Sequence, residues 1–269
     1  MLLVPYFSKI DSVISFLQGQ DASLAYRIAS RAFCPEGPRF SPLNQEAGEE
    51  ALLHAFGSLG VADRAKHLAS LMIDDLADFI REQIDPRFEL AKYGEKLAAS
   101  APSFDPLAQA LAEEPTILDR WLDELAQETL ERERPDLVAL TVPFPGNLYG
   151  ALRIARIAKK LRISSCIGGG YPNTELRELS ELRLFDCVDY VTLDDGERPL
   201  LAILQGLGEK GPLKLKRTFV RETGSDGKPR VAYYDDPLLA DFSHKPPPAP
   251  TFAGLKLKQY LSLVEMLNP

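Results

Sequence analysis

Three short apolar runs constrain this chain more than any other feature: Leu137–Val142, Ile163–Ile167 and Val188–Leu193. Each has the length of a buried strand and is rich in Val, Ile or Leu. Turn residues and then a helical pattern follow each one. A β-loop-α unit used three times predicts a parallel sheet covered by helices. Ligands of such sheets sit outside the carboxyl ends of the strands. The loops to watch are therefore Thr141–Asn147, Gly168–Thr174 and Asp194–Glu197.

Upstream of these units the pattern is helical. Ile10, Val13, Ile14, Phe16 and Leu17 recur near helical spacing, and a proline-punctuated loop runs from Cys34 to Asn44. Helical patterns follow over Glu46–Leu59 and Ala62–Glu82, the second ending at Asp85-Pro86, and another over Phe88–Ser100. Thr116 and Asp119 have capping-box spacing, ahead of a stripe of Leu118, Trp121, Leu122, Leu125 and Leu130. Within the β-loop-α units, Asn147, Asn173 or Thr174, and Asp195 stand where helix caps are expected. After Gly208 two alternating runs, Leu215–Glu222 and Arg230–Tyr234, flank Gly224–Gly227 and predict a hairpin. A proline-rich linker, Ser243–Pro250, precedes a tail, Phe252–Pro269.

The expected organisation is thus an α-rich N-terminal region over 1–130, a βα domain over 131–210, a β-hairpin over 211–236 and a linker region over 237–269. A formal charge of −8 argues against a nucleic-acid partner, which needs a basic face. No apolar run is long enough to span a bilayer, and the first residues lack a basic segment followed by a full apolar core. Three scattered cysteines form no disulfide framework, and the expected location is a reducing cytoplasm.

Catalytic signatures are sparse. Gly168-Gly169-Gly170 lies between a strand and a helix, where glycine lets backbone approach a flat ligand or simply makes a tight turn. Asn173 occupies the last glycine position of a dinucleotide fingerprint, and there is no Walker-type Gly-Lys-Ser/Thr, so a nucleotide-binding enzyme is disfavoured. Thr141 offers a hydroxyl at a strand end. Asp194, Asp195 and Glu197 at a helix start are explained by the helix dipole, or by hydrogen bonds to a ligand. His54, His67 and His244 show no metal-ligand spacing, and His54 and His67 read as surface or half-buried helix residues. Cys166 and Cys187 read as small apolar packing residues.

Pro135-Asp-Leu-Val-Ala-Leu-Thr-Val, then Ile167-Gly-Gly-Gly, then Asp189-Tyr-Val-Thr-x-Asp-Asp-Gly-Glu197-x-Pro-Leu-Leu resembles the cobalamin-binding domain of B12-dependent radical SAM proteins. Residues 142–167 separate Thr141 from Gly168, as in cobalamin domains generally. Two departures stand out. Asp194-Asp-Gly-Glu197 replaces the family's Gly-Glu-Gly-Glu-like turn, and Val142-Pro143 replaces a leucine. Only Leu2–Tyr6 offers a strand for the first βα unit of a five-stranded domain.

The resemblance implies a flavodoxin-like or Rossmann-like α/β fold of the B12-binding type, with an α-rich N-terminal layer and a C-terminal β-hairpin. It implies a cobalamin cofactor with no histidine ligand from this chain. Thr141, Val142, Pro143 and Phe144, together with Gly168, Gly169, Gly170 and Tyr171, would line the corrin. Asp194, Asp195, Gly196 and Glu197 would lie near the nucleotide tail. The family's barrel binds S-adenosylmethionine and a [4Fe–4S] cluster held by Cys-x-x-x-Cys-x-x-Cys. That triplet does not occur here, so the expectation is a fragment whose partner is the missing radical SAM barrel and which is not catalytic alone. The alternative is a scaffold or interaction module that binds no cobalamin.

Overall fold

The computed structural model describes residues 3–45, 48, 50, 52, 54, 56, 60–90, 103–207, 214–242 and 249–260. The expected helices over Glu46–Leu59 and Phe88–Ser100, the linker and the tail lie largely or partly outside them. The chain divides into two compact units, Met1–Pro86 with Ala249–Pro269, and Arg87–Pro248.

The first unit is helical: α1 (Val4–Phe7), α2 (Ile10–Leu17), α3 (Ala25–Ala29) and α4 (Val61–Gln83). The strand expected over Leu2–Tyr6 is not formed. Pro5 sits in the first turn of α1, where its missing amide costs nothing. Val13 and Phe16 of α2, Ile28 of α3 and Leu68 and Met72 of α4 share one buried cluster. The loop expected after Cys34 contains a 3-10 helix, Pro38–Asn44, whose Phe40 is buried in that cluster. Asp75, only 2% exposed, anchors this loop: its carboxylate accepts the Gly37 and Arg39 amides, both at 2.9 Å. A Cβ on Gly37 would lie 2.5 Å from that carboxyl group, so only glycine allows the approach. His67 is buried, not half-buried, with its ring 5.8 Å from that of Phe56; His54 is exposed and His244 lies outside the described residues. A 3-10 turn, Leu257–Gln259, is held on this unit by Gln18 and Gln20, whose side-chain amides donate to Gln259 O and Lys258 O at 2.7 Å.

The second unit carries α5 (Asp105–Ala112), α6 (Ile117–Glu133), β1 (Leu137–Thr141), α7 (Leu148–Lys160), β2 (Ser164–Gly168), α8 (Gly170–Glu175), β3 (Tyr190–Thr192), α9 (Glu197–Gly206), β4 (Thr218–Thr223) and β5 (Pro229–Tyr234). The fold is mixed α/β with a five-stranded open sheet in the order β1-β2-β3-β4-β5. The first three strands are parallel, and β4 and β5 join antiparallel. The expected hairpin is formed, and it extends the sheet beside β3.

Both parallel crossovers step the same way, so the right-handed rule puts their helical segments on one face. Leu148 and Leu152 of α7 and Leu184 and Phe185 accordingly pack with Val142, Ile167 and Val191. Ile203 of α9 packs on the opposite face with Cys166 and Val220. Alternation along the strands produces this split: Ile167 and Cys166 are neighbours in sequence but serve different cores.

The Thr116–Asp119 capping box is complete in both directions. The other caps differ from expectation. Asn147 makes no cap bond, because a 3-10 turn, Pro145–Asn147, already leads into α7. Asn173 and Thr174 lie inside α8, which starts at the glycines. Asp195 is displaced by Gly196 at the start of α9. On α6 the buried face is Asp119, Ala126 and Leu130, while Trp121 and Leu125 of the expected stripe are 55% and 63% exposed.

Candidate functional site

The three loops meet at the carboxyl end of the parallel strands because backbone bonds fasten them together. The Val142 amide donates to Gly168 O at 2.7 Å, and the Tyr171 amide returns a bond to Val142 O at 3.0 Å. The Asn173 amide donates to Gly169 O at 3.3 Å, and Asn173 Oδ1 accepts the Asp194 amide at 2.5 Å. Thus Thr141–Phe144, Gly168–Tyr171 and Asp194–Glu197 form one continuous rim. Thr141, Pro143, Gly170, Asp194, Asp195, Gly196 and Glu197 are exposed, and Phe144 is 60% exposed. Gly168, Gly169 and Tyr171 are half-buried, and Val142 is buried inside the core.

The glycines have an internal reason to be there. Gly169 has φ +104°, and a Cβ on it would lie 3.1 Å from both Thr141 Cγ2 and Val142 O. A Cβ on Gly168 would meet Thr192 Oγ1 at 2.6 Å, and one on Gly170 would meet Pro143 O at 2.6 Å. The glycine turn is therefore pressed against β3 and the first loop. Gly196 differs: its φ is −73°, and a Cβ there would meet nothing within 4 Å.

The acidic loop is held by arginines that the sequence reading did not single out. Asp194, itself at φ +59°, forms an ion pair with Arg177, and Arg217 Nε lies 3.9 Å from its other oxygen. Arg217 also donates to Asp195 O at 3.1 Å and pairs with Asp241 at 2.6 Å. The Arg217 guanidinium holds the Asp241 carboxyl below the usual carboxylate range. The backbone of Arg217 is left-handed, φ +43°, and its carbonyl accepts the Leu193 amide at 2.9 Å, closing the rim onto β3. Burial, with Glu175 adding to it, raises the Tyr171 hydroxyl above its ordinary value. The Cys166 thiol is pushed up to about 11 by burial, which removes it as a nucleophile.

Among the described residues no group of three His, Cys, Asp or Glu side chains is placed to hold a metal ion. No helix of the described residues is long and apolar enough to cross a membrane. A cavity of about 200 Å³ between α5 and α7, walled by Arg153 and Arg156, does not touch the three loops. Nothing on the rim pairs a nucleophile with a base. Its chemistry is that of a surface: an exposed ring, a proline, bare backbone and acidic side chains, of which Asp194 is engaged by Arg177. The parallel strands run in sequence order, so among the described strands no reversal opens the crevice that doubly wound sheets use for ligands.

No protein-family model matches the chain, and searches of curated proteins and of solved structures find no match either.

Proposed function

We propose that the α/β unit is a cobalamin-holding module, of the B12-binding-domain type, that carries a corrin on the rim at the carboxyl end of β1–β3. The observation that carries this reading is the fastening of three strand-end loops into one rim that exposes Phe144, Pro143 and Gly170 beside one another in the chain of hydrogen bonds. A corrin is broad and largely apolar, and such a ligand packs on ring, proline and bare backbone. Gly196 leaves open space at the acidic loop for a bulky appendage such as the nucleotide tail. Bound cobalamin would supply the reactive cobalt; the chain's part is to bind and orient it. In this reading the radical chemistry, with its [4Fe–4S] cluster and S-adenosylmethionine, belongs to a radical SAM barrel and not to this α/β unit.

A second reading, an interaction module without cofactor, is favoured by two observations. Packing against Thr141, Pro143 and Thr192 already accounts for the three glycines. The strand order also lacks a reversal.

Absorbance titration with hydroxocobalamin separates the two. Gly196→Leu and Phe144→Asp alter exposed positions and should leave thermal melting unchanged. If the rim holds the corrin, the parent protein binds saturably and both variants lose affinity by about tenfold or more. No binding at about 100 µM protein selects the second reading.

A further inference from the structure

The sheet begins at β1, and β1 is unusual for an edge. The Val142 amide bonds to β2 through Gly168 O. With Thr141 in register with Gly168, the backbone groups of Val138, Leu140 and Val142 therefore face β2. Those of Leu137, Ala139 and Thr141 face outward, and among the described residues no strand takes them. Parallel strands are normally buried, and exposed edges normally carry a charge, a proline or a bulge. From Leu137 to Val142 there is none of these, and Ala139 and Thr141 are exposed.

We propose that β1 pairs antiparallel with β1 of a second copy of this chain, about a twofold axis through Ala139. The sequence is arranged symmetrically for it. Pro135 and Pro143 lie four residues on either side of Ala139, so each meets the other beyond the ends of the ladder and neither removes a needed donor. Ala139 would face its own copy and Leu137 would face Thr141. No like charges oppose one another within the paired run, which is the usual obstacle to self-pairing. A two-strand ladder this short covers less than the roughly 1,200 Å² of a stable interface. The helix that leads into β1 exposes further apolar area. α6 packs on α7 and Val138 with Ala126 and Leu130, and turns Ile117, Trp121 and Leu125 outward, Trp121 at 55% exposure. The net charge of −8 on each copy opposes association, so the dimer strengthens with salt. This inference does not depend on corrin binding.

Sedimentation equilibrium from about 1 to 300 µM, at low and raised salt, tests it. Ala139→Lys adds a charge at an exposed position and should give a monomer that melts like the parent at the dilute end of this range, where the parent is dissociated. Ala139→Cys supplies a geometric reading. A directly opposed pair in the hydrogen-bonded position has Cα atoms about 5.5 Å apart, inside disulfide range. Because Cys34, Cys166 and Cys187 are buried, mild oxidation should link the Ala139→Cys protein and leave a Leu238→Cys control unlinked. Linkage of Ala139→Cys with a concentration-dependent parent dimer supports the proposal, even if Ala139→Lys fails to fold. A monomer at every concentration overturns it and leaves the edge to a strand from another protein. So does a dimer in which Ala139→Cys does not link.

Discussion

The Tyr149 hydroxyl donates to the Asp119 carboxylate across 3.1 Å, and both residues are completely buried. The same carboxylate oxygen accepts Arg87 at 3.0 Å and the Thr116 amide at 3.1 Å, with Arg153 at 3.3 Å. One acid thus closes the α6 cap and ties α6 to α7 beneath the sheet. Asp119→Ala removes the carboxylate that Arg87, Arg153, Tyr149 and the Thr116 amide share; because Arg153 keeps Asp123 at 2.6 Å, the loss should be about 3 kcal/mol. Tyr149→Phe removes a hydroxyl but no charge and should cost about 1–2 kcal/mol. Urea denaturation checks both; equal costs would contradict the assignment of Asp119 as the centre of the network.

Gly169 and Gly196 should respond in opposite ways. Gly169→Val combines left-handed backbone with contacts at 3.1 Å and should cost about 2–3 kcal/mol. Gly196→Ala enters open space with ordinary backbone angles and should lie within about 0.5 kcal/mol of the parent. Thermal melting of the two variants is the measurement. Loss of cobalamin binding in Gly169→Val would therefore be uninformative about the rim, whereas loss in a folded Gly196→Leu would be direct.

In the helical unit two aspartates titrate with opposite sign. Asp78 is held below the usual range by the Arg39 hydrogen bond, with help from Arg81. Its contribution is present above the unfolded value, near 3.9, and is lost as pH falls through the lower folded value. Asp75 is raised, by burial first, against the Arg39 and Gly37 amides. Its native form binds a proton more readily, so its contribution falls as pH rises from about 3.9 through the folded value. Relative to Asp78→Asn, the parent should lose stability on acidification below about pH 4; relative to Asp75→Asn, it should lose stability on moving upward from about pH 4. Denaturant midpoints measured across that range decide it, and parallel profiles for all three proteins would refute the scheme.

If cobalamin binds at the rim, it should receive no histidine nitrogen from this chain. The loops Thr141–Asn147, Gly168–Thr174 and Asp194–Glu197 contain no histidine. Electron paramagnetic resonance of the Co(II) form should lack coupling to a histidine nitrogen. A nitrogen signal abolished by His54→Ala or His67→Ala would place the corrin elsewhere.

Elements fixed by local chemistry were legible in the sequence. The three parallel strands follow from short Val/Ile/Leu runs, the α6 start from the Thr116–Asp119 spacing, and the hairpin from alternation around Gly224–Gly227. What depends on distant partners was not. The apolar stripe on α6 predicts a buried face through Trp121 and Leu125, but α7 meets the face of Ala126 and Leu130. The hairpin gave no sign that it would add to β3, since register is set by pairing rather than by either strand alone. Loop positions at the rim came from strand order along the chain. The Arg177 and Arg217 clamp did not, because nothing in an isolated arginine shows which carboxylate it will reach. The glycine run signals backbone freedom in the sequence, and only the neighbours Thr141, Pro143 and Thr192 reveal why that freedom is used.

The clip that Gln18 and Gln20 place on residues 258 and 259 has a consequence for synthesis. Chains emerge from the ribosome in order, and domains tend to fold as they appear. Among the described residues, the buried cluster of the helical unit lies wholly before Pro86, so it can close early. This strap arrives only after the whole α/β unit has been made. Protection of the Gln259 and Tyr260 amides in a translation-arrest series should therefore appear later than that of any amide in α2 or α4.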